Sequence, residues 1–105
     1  MWEHAFGSRI VHVISYKAIR EYKAKHADSA SSLENWYRVT DAARWETFAE
    51  LKQVFGTADF VAPFVVFNIG GNKYRLIAEI NFRSKTVFIR HILTHKEYDE
   101  GKWRK

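Results

Sequence analysis

Along this chain apolar positions first alternate, then recur at helical spacing, then alternate again. Arg9 to Ser15 carries Ile10, Val11, Val13 and Ile14, the β-branched alternation of a first strand. Ser15 then stands where a helix cap belongs, and Tyr16, Ile19 and Tyr22 form the apolar stripe of a helix from Tyr16 to His26. Ser31-Ser32-Leu33-Glu34 has the Ser-x-x-Glu spacing of a capping box. Leu33, Trp36, Tyr37 and Thr40 continue it as a second helix to about Ala43, so the two helices make a hairpin. Thr47-Phe48-Ala49-Glu50 repeats the box, and Phe48, Leu51, Val54 and Phe55 mark a short third helix stopped by Gly56.

From Pro63 the period becomes extended. Phe64 to Ile69, Tyr74 to Asn81 and Thr86 to Thr94 are rich in Val, Ile, Phe and Tyr, with turn residues between them, and predict a three-stranded meander. A two-residue turn at Gly71-Asn72 pairs Gly70 with Lys73, Asn68 with Arg75 and Phe67 with Leu76. A loop over Phe82 to Lys85 pairs Asn81 with Thr86, Ile77 with Arg90, Arg75 with Ile92 and Tyr74 with Leu93. Strand alternation then gathers Phe67, Tyr74, Leu76, Ala78, Ile80, Val87, Ile89 and Leu93 on a face that meets the helices. The other face carries Asn68, Lys73, Arg75, Glu79 and Arg90 beside Ile77 and Ile92, with Arg75 diagonally next to Arg90. The architecture is a small α+β domain: a mostly antiparallel sheet with an N-terminal helical hairpin packed on one face.

Composition narrows the picture. At 105 residues with 47% hydrophobic and 16% aromatic content, the chain reads as one globular domain over residues 1–105, with a tail at 100–105 of which Lys102-Trp103-Arg104-Lys105 reads as frayed. With no cysteine it has neither a disulfide framework nor a thiolate zinc site. No signal peptide is evident, and the longest apolar run, Phe60 to Ile69, is broken by Pro63 and Asn68 and is too short to span a bilayer. Seventeen Lys and Arg against twelve Asp and Glu give a net charge of +5, which favours polyanionic partners without identifying one.

Two segments are more specific. Val65-Val66-Phe67-Asn68-Ile69-Gly70-Gly71-Asn72-Lys73-Tyr74-Arg75-Leu76 and Phe88-Ile89-Arg90-His91-Ile92-Leu93-Thr94-His95-Lys96-Glu97-Tyr98-Asp99 resemble the two signature stretches of the HigB toxin family, and Leu51-Lys52-Gln53-Val54-Phe55 is similar to that family too. The agreement covers roughly Arg9 to Asp99, and Met1 to Ser8 precedes the usual start of the family, as an alternative start, a cloning remnant or a real N-terminal extension. The resemblance implies a RelE-like fold, a cytoplasmic toxin that cleaves mRNA in the ribosomal A site, and neutralisation by a helix-turn-helix, HigA-like antitoxin. Operator DNA would be bound only through the antitoxin complex.

Metal-free RNA cleavage needs a base for the ribose 2′-hydroxyl, cations for the charged phosphorane and an acid for the departing 5′-oxygen. Arg75 and Arg90 suit the phosphate, because a planar guanidinium holds two oxygens at once. Their ordinary alternative is a solvated cross-strand pair bridged by Glu79. His95 is the proton-transfer candidate, since imidazole gives or takes a proton near neutrality. Tyr98 offers a hydroxyl or a ring for a base, and Asn68 and Lys73 are RNA-binding candidates on the same face. His91 falls on the core side and reads as structural. His91 and His95 lie in or beside a strand, without Cys or a His-Glu-x-x-His pattern, so no metal and no cofactor is expected. Trp36, Tyr37 and Trp45 read as packing residues. Two other classes compete: a RelE/ParE-like toxin that poisons a protein such as DNA gyrase, and a plain basic RNA-binding domain.

Overall fold

The computed structural model describes residues 11–104. Strand β1 (His12–Ile14) leads into α1 (Tyr16–Lys25), a 3-10 turn (Ala27–Ser29) and α2 (Ala30–Asp41). Then come α3 (Phe48–Val54), β2 (Asp59–Val61), β3 (Phe64–Ile69), β4 (Tyr74–Asn81), β5 (Thr86–Thr94), α4 (His95–Glu100) and a 3-10 turn (Lys102–Arg104). The five strands among the described residues lie in the order β1-β5-β4-β3-β2, with β1 parallel to β5 and every other pair antiparallel. This is the α+β class the pattern predicts, with the meander strands at their expected bounds. Among the described residues no helix is long and apolar enough to cross a membrane.

Helices α1, α2 and α3 cover one sheet face. Ile19, Leu33, Trp36, Leu51, Phe67, Leu76, Ala78 and Val87 are essentially inaccessible to water between them. Trp36 meets Phe67 edge-on at 5.3 Å between ring centres and Trp45 meets Phe55 at 6.1 Å, so both tryptophans pack as expected. Tyr37 is half-buried against Tyr16.

Local capping corrects two expectations. Ser15 occupies the cap position of α1 in the left-handed region (φ 80°) and its side chain caps nothing; its carbonyl instead accepts the Ala18 N–H at 2.8 Å. Ser31 lies inside α2, which starts at Ala30, and the Glu34 carboxylate is taken by the Lys23 ammonium and the Tyr16 hydroxyl across the helical hairpin. An ion pair outcompetes a neutral amide for a carboxylate. Thr47 does cap α3, accepting the Glu50 N–H at 3.2 Å, while Glu50 accepts the Glu46 N–H at 2.7 Å. Strand β2 escaped the sequence reading because three residues are too few to show a period. The first strand begins at His12 here, and Arg9 and Ile10 of its expected span lie outside the described residues.

The larger correction concerns register. The Asn68–Arg75, Phe67–Leu76 and Asn81–Thr86 pairs form as expected. Between Ile77 and Ala78, however, β5 carries one extra residue: Ala78 faces Ile89 and Ile77 faces His91, so Arg90 is bulged out of the ladder. A one-residue shift exchanges faces for everything beyond it. His91 therefore stands on the outer face opposite Ile77, not in the core. Ile92 packs with the helix-side cluster, and Leu93 faces outward opposite Arg75.

The outer face is not bare. Val66, Ile77 and Trp103 form a second buried cluster with Val61, Phe64, Leu93 and Tyr98 around it. Trp103, 4% exposed, lies edge-on to Phe64 and stacks on Tyr98 at 5.1 Å and 13°. Its indole Nε1–H donates to the Tyr98 carbonyl at 3.0 Å. The stretch Lys102–Arg104 is thus docked rather than frayed, because one large aromatic finds an apolar surface to cover.

Candidate active site

At the end of β5 the chain turns directly into α4. Thr94 is both the last strand residue and the helix cap: its hydroxyl accepts the Glu97 N–H at 3.1 Å, and Glu97 accepts the Thr94 N–H at 2.9 Å. That reciprocal box makes His95 the first residue of α4. The His95 N–H donates to the Lys73 carbonyl at 2.9 Å, which ties the helix start to the β3–β4 hairpin. The hairpin in turn needs Gly71 at its first central position, where φ is 70°.

Arg75 lies at the centre of this junction, only 8% exposed. Its Nη1 donates to the Asn72 and Tyr74 carbonyls, each at 3.2 Å, and its Nη2 donates to Asn72 Oδ1 at 2.7 Å and lies 3.2 Å from His95 Nδ1. The guanidinium also sits 5.1 Å from the Tyr98 ring centre. A fork spent on four internal partners is an anchor and a fixed charge, not the open two-oxygen clamp expected from the sequence.

The imidazole of His95 is half-exposed and meets three groups. Nδ1 lies 3.2 Å from the Asn72 carbonyl as well as from Arg75, and Nε2 lies 3.0 Å from Asp99 Oδ2. Asp99 accepts only from a protonated Nε2. Nδ1 then has two options: its lone pair accepts from Arg75, or its own N–H donates to Asn72. The ring can hold one proton or two in place, with a partner ready for either state.

Tyr98 joins this cluster, but its ring is engaged by Trp103 and Arg75, which leaves the hydroxyl as its free chemistry. Asp99 and Asn72 complete the site and were not singled out from the sequence. The Thr94-x-x-Glu97 box was the available signal, since it starts a helix at His95 and puts Asp99 one turn on.

The remaining candidates lie elsewhere. Arg90, opposite the Ile77/Ala78 step, donates from Nε to Glu79 at 2.6 Å and lies over Phe88, so it points away from Arg75 along the strand. Lys73 reaches the helix side, 3.4 Å from Asp28, whose carboxyl is held below its ordinary pKa by the Tyr74 hydroxyl, at 2.6 Å, and by Lys73. Asn68 pairs with Arg75 and borders a cleft of about 580 Å³ between α2 and β3. Among the described residues no three of the His, Asp and Glu side chains stand close enough to share a metal ion.

Residues 29–101 match the family model of HigB toxin, the RelE-like toxic component of a toxin-antitoxin system. The chain is 34% identical over 93 residues to an mRNA interferase HigB of Escherichia coli O6:H1, covering 86% of this chain and 90% of that protein. It is 32% identical over 92 residues to the mRNA interferase toxin HigB of Escherichia coli strain K12, covering 85% and 88%, and equally similar to an mRNA interferase HigB of Shigella flexneri. The matched stretch takes in the capped α4, the Gly71 hairpin and the buried Arg75 that brings them together, and the chain belongs to the HigB toxin family.

Proposed function

We propose that this chain is the toxin of a type II toxin-antitoxin pair and an endoribonuclease that cuts mRNA on the ribosome in the cytoplasm. One observation carries the reading: His95 is held between the Asp99 carboxylate and the Asn72 carbonyl, beside the buried charge of Arg75. Two adjacent groups that can divide a proton gain and a proton loss are what transesterification of RNA requires.

The ribose 2′-oxygen attacks the neighbouring phosphorus as Asp99 draws off its proton. The bond from phosphorus to the 5′-oxygen breaks, and His95 delivers a proton from Nε2 to that oxygen. The products are a 2′,3′-cyclic phosphate and a 5′-hydroxyl. For this step both ring nitrogens are protonated, so Nδ1–H donates to the Asn72 carbonyl and fixes the imidazolium, while Arg75 offsets the growing negative charge by its field, which is strong where burial excludes water. The Tyr98 hydroxyl faces the same substrate. No step calls for a metal.

A helix-turn-helix antitoxin of HigA type is the expected partner, and operator DNA is bound through it alone. Primer extension on mRNA from expressing cells tests the reading, and discrete cuts inside codons are expected. Growth arrest with intact transcripts would overturn it. On programmed ribosomes, His95→Gln lowers single-turnover cleavage by about 100-fold or more, while EDTA leaves cutting intact wherever the ribosome survives. Loss restored by one transition metal would overturn the metal-free mechanism.

A further inference from the structure

The bulge in β5 does more than exchange faces. It pushes Arg90 out of the ladder, where its side chain is 47% exposed, and two neighbours then fix its plane. Glu79 accepts from Nε at 2.6 Å, and the Phe88 ring centre lies 5.1 Å from the guanidinium carbon. Among the described residues neither Nη nitrogen has an acceptor within hydrogen-bonding distance. The fork is oriented and unspent, the reverse of Arg75.

Phe88 pairs with Glu79 on the outer face and belongs to neither apolar cluster. Ile14, its neighbour on β1, is 41% exposed, and a cleft of about 400 Å³ opens beside Asn81, Phe82, Phe88 and Arg90. We infer that Arg90 and Phe88 form a subsite for the RNA strand flanking the cut, with a phosphate on the Arg90 fork and a base on the Phe88 ring. This rests on the nuclease reading above and adds a place to it.

Three observations favour the substrate strand as occupant. A pre-oriented fork matches two phosphate oxygens, and an adjacent aromatic face is the usual platform for an unpaired base. The face is continuous with the active site: His91, opposite Ile77, lies between Arg90 and the Arg75–Leu93 pair. Glu79 is four residues along β4 from Arg75, roughly 13 Å, a span that a short stretch of extended RNA covers.

The test is binding of a 2′-O-methyl oligoribonucleotide, which cannot be cut, followed by fluorescence anisotropy across a salt series. With a nine-mer, Arg90→Gln weakens binding about tenfold and reduces the steepness of log K against log salt by about 0.7, the value of one phosphate contact on a single strand. Phe88→Leu weakens it about tenfold with the slope unchanged, because stacking releases no counterion. Glu79→Gln, which still offers Nε an acceptor, retains most of the affinity. A trinucleotide filling only the active site is insensitive to all three. Wild-type affinity and slope in Arg90→Gln and Phe88→Leu, with folding confirmed by circular dichroism, overturn the subsite, as does a wild-type protein that ignores the nine-mer. Loss of antitoxin binding alone assigns the face to the antitoxin and overturns it equally. Since the probe is uncleavable, a wild-type protein that binds as described but cuts no mRNA refutes the nuclease reading instead.

Discussion

Replacing Trp103 by alanine tests whether the last described turn is part of the fold. The side chain is 4% exposed, and an indole of this size buries about 150–250 Å². At about 25 cal/mol per Å² the apolar transfer alone is worth roughly 4–6 kcal/mol, an upper figure because the unfolded chain already hides some of that surface. Trp→Ala substitutions in cores cost about 3–5 kcal/mol, and in this smaller cluster on the outer sheet face water can refill the space, which places the expected loss near 3 kcal/mol. For a domain of this size each kcal/mol moves the melting temperature by about 4–8 °C, so the midpoint should fall by roughly 12–24 °C. Trp103→Phe keeps the stack on Tyr98 and loses only the donor to the Tyr98 carbonyl, so it should fall by a few degrees. Thermal melts followed by circular dichroism, with urea titrations for the free energy, read both. An alanine variant melting within about 3 °C of wild type would mean that Trp103 is not packed in solution, because a buried indole cannot be removed so cheaply.

Arg75→Lys keeps the charge but not the planar fork. It should lose about 2–4 kcal/mol of stability in urea titrations and at least about 100-fold in cleavage, since a buried ammonium cannot serve four partners at once. Tyr22 tests the opposite case. Its hydroxyl is buried without a partner, and burial pushes its pKa up to about 12. Tyr22→Phe should therefore cost less than about 1 kcal/mol and remove the last phase of the spectrophotometric tyrosine titration. In wild type, stability credited to the neutral phenol is complete below the ordinary value of 10.0 and fades as pH rises towards about 12. The Lys23 ammonium and then the Tyr16 hydroxyl hold the Glu34 carboxyl below its ordinary 4.5, so its contribution is present above that value and is lost as pH falls through the folded pKa. Glu34→Gln should be less stable than wild type near neutrality, with the difference closing in acid melts.

The meander was legible because its three strands are dense in β-branched and aromatic residues and are separated by strong turn signals. The bulge was not. Ile89-Arg90-His91-Ile92-Leu93 offers an apolar residue to either parity, so alternation alone cannot tell which of Ile92 and Leu93 faces the helices. The Ser31 box misled for a related reason: a local motif reads as satisfied until a tertiary partner, Lys23, claims its carboxylate. Arg75, His95 and Tyr98 were legible as candidates, and the structure brings them together. Their division of labour was hidden, because whether an arginine fork is free or spent depends on carbonyls that sequence does not place. Trp103 carried a signal in being the sole large apolar residue of a basic tail, yet its partners Phe64 and Tyr98 belong to different elements.

The junction at Thr94 has no spare residue: the strand ends and the helix is capped on the same side chain. In mechanical terms β5 and α4 are one lever with its fulcrum in the sheet, and His95 inherits the stiffness of the ladder behind it. A residue inserted after Thr94 would turn the imidazole by roughly 100° about the helix axis and detach it from Arg75, Asn72 and Lys73 together. The same insertion in the turn between β4 and β5 would lengthen a loop and leave the lever intact.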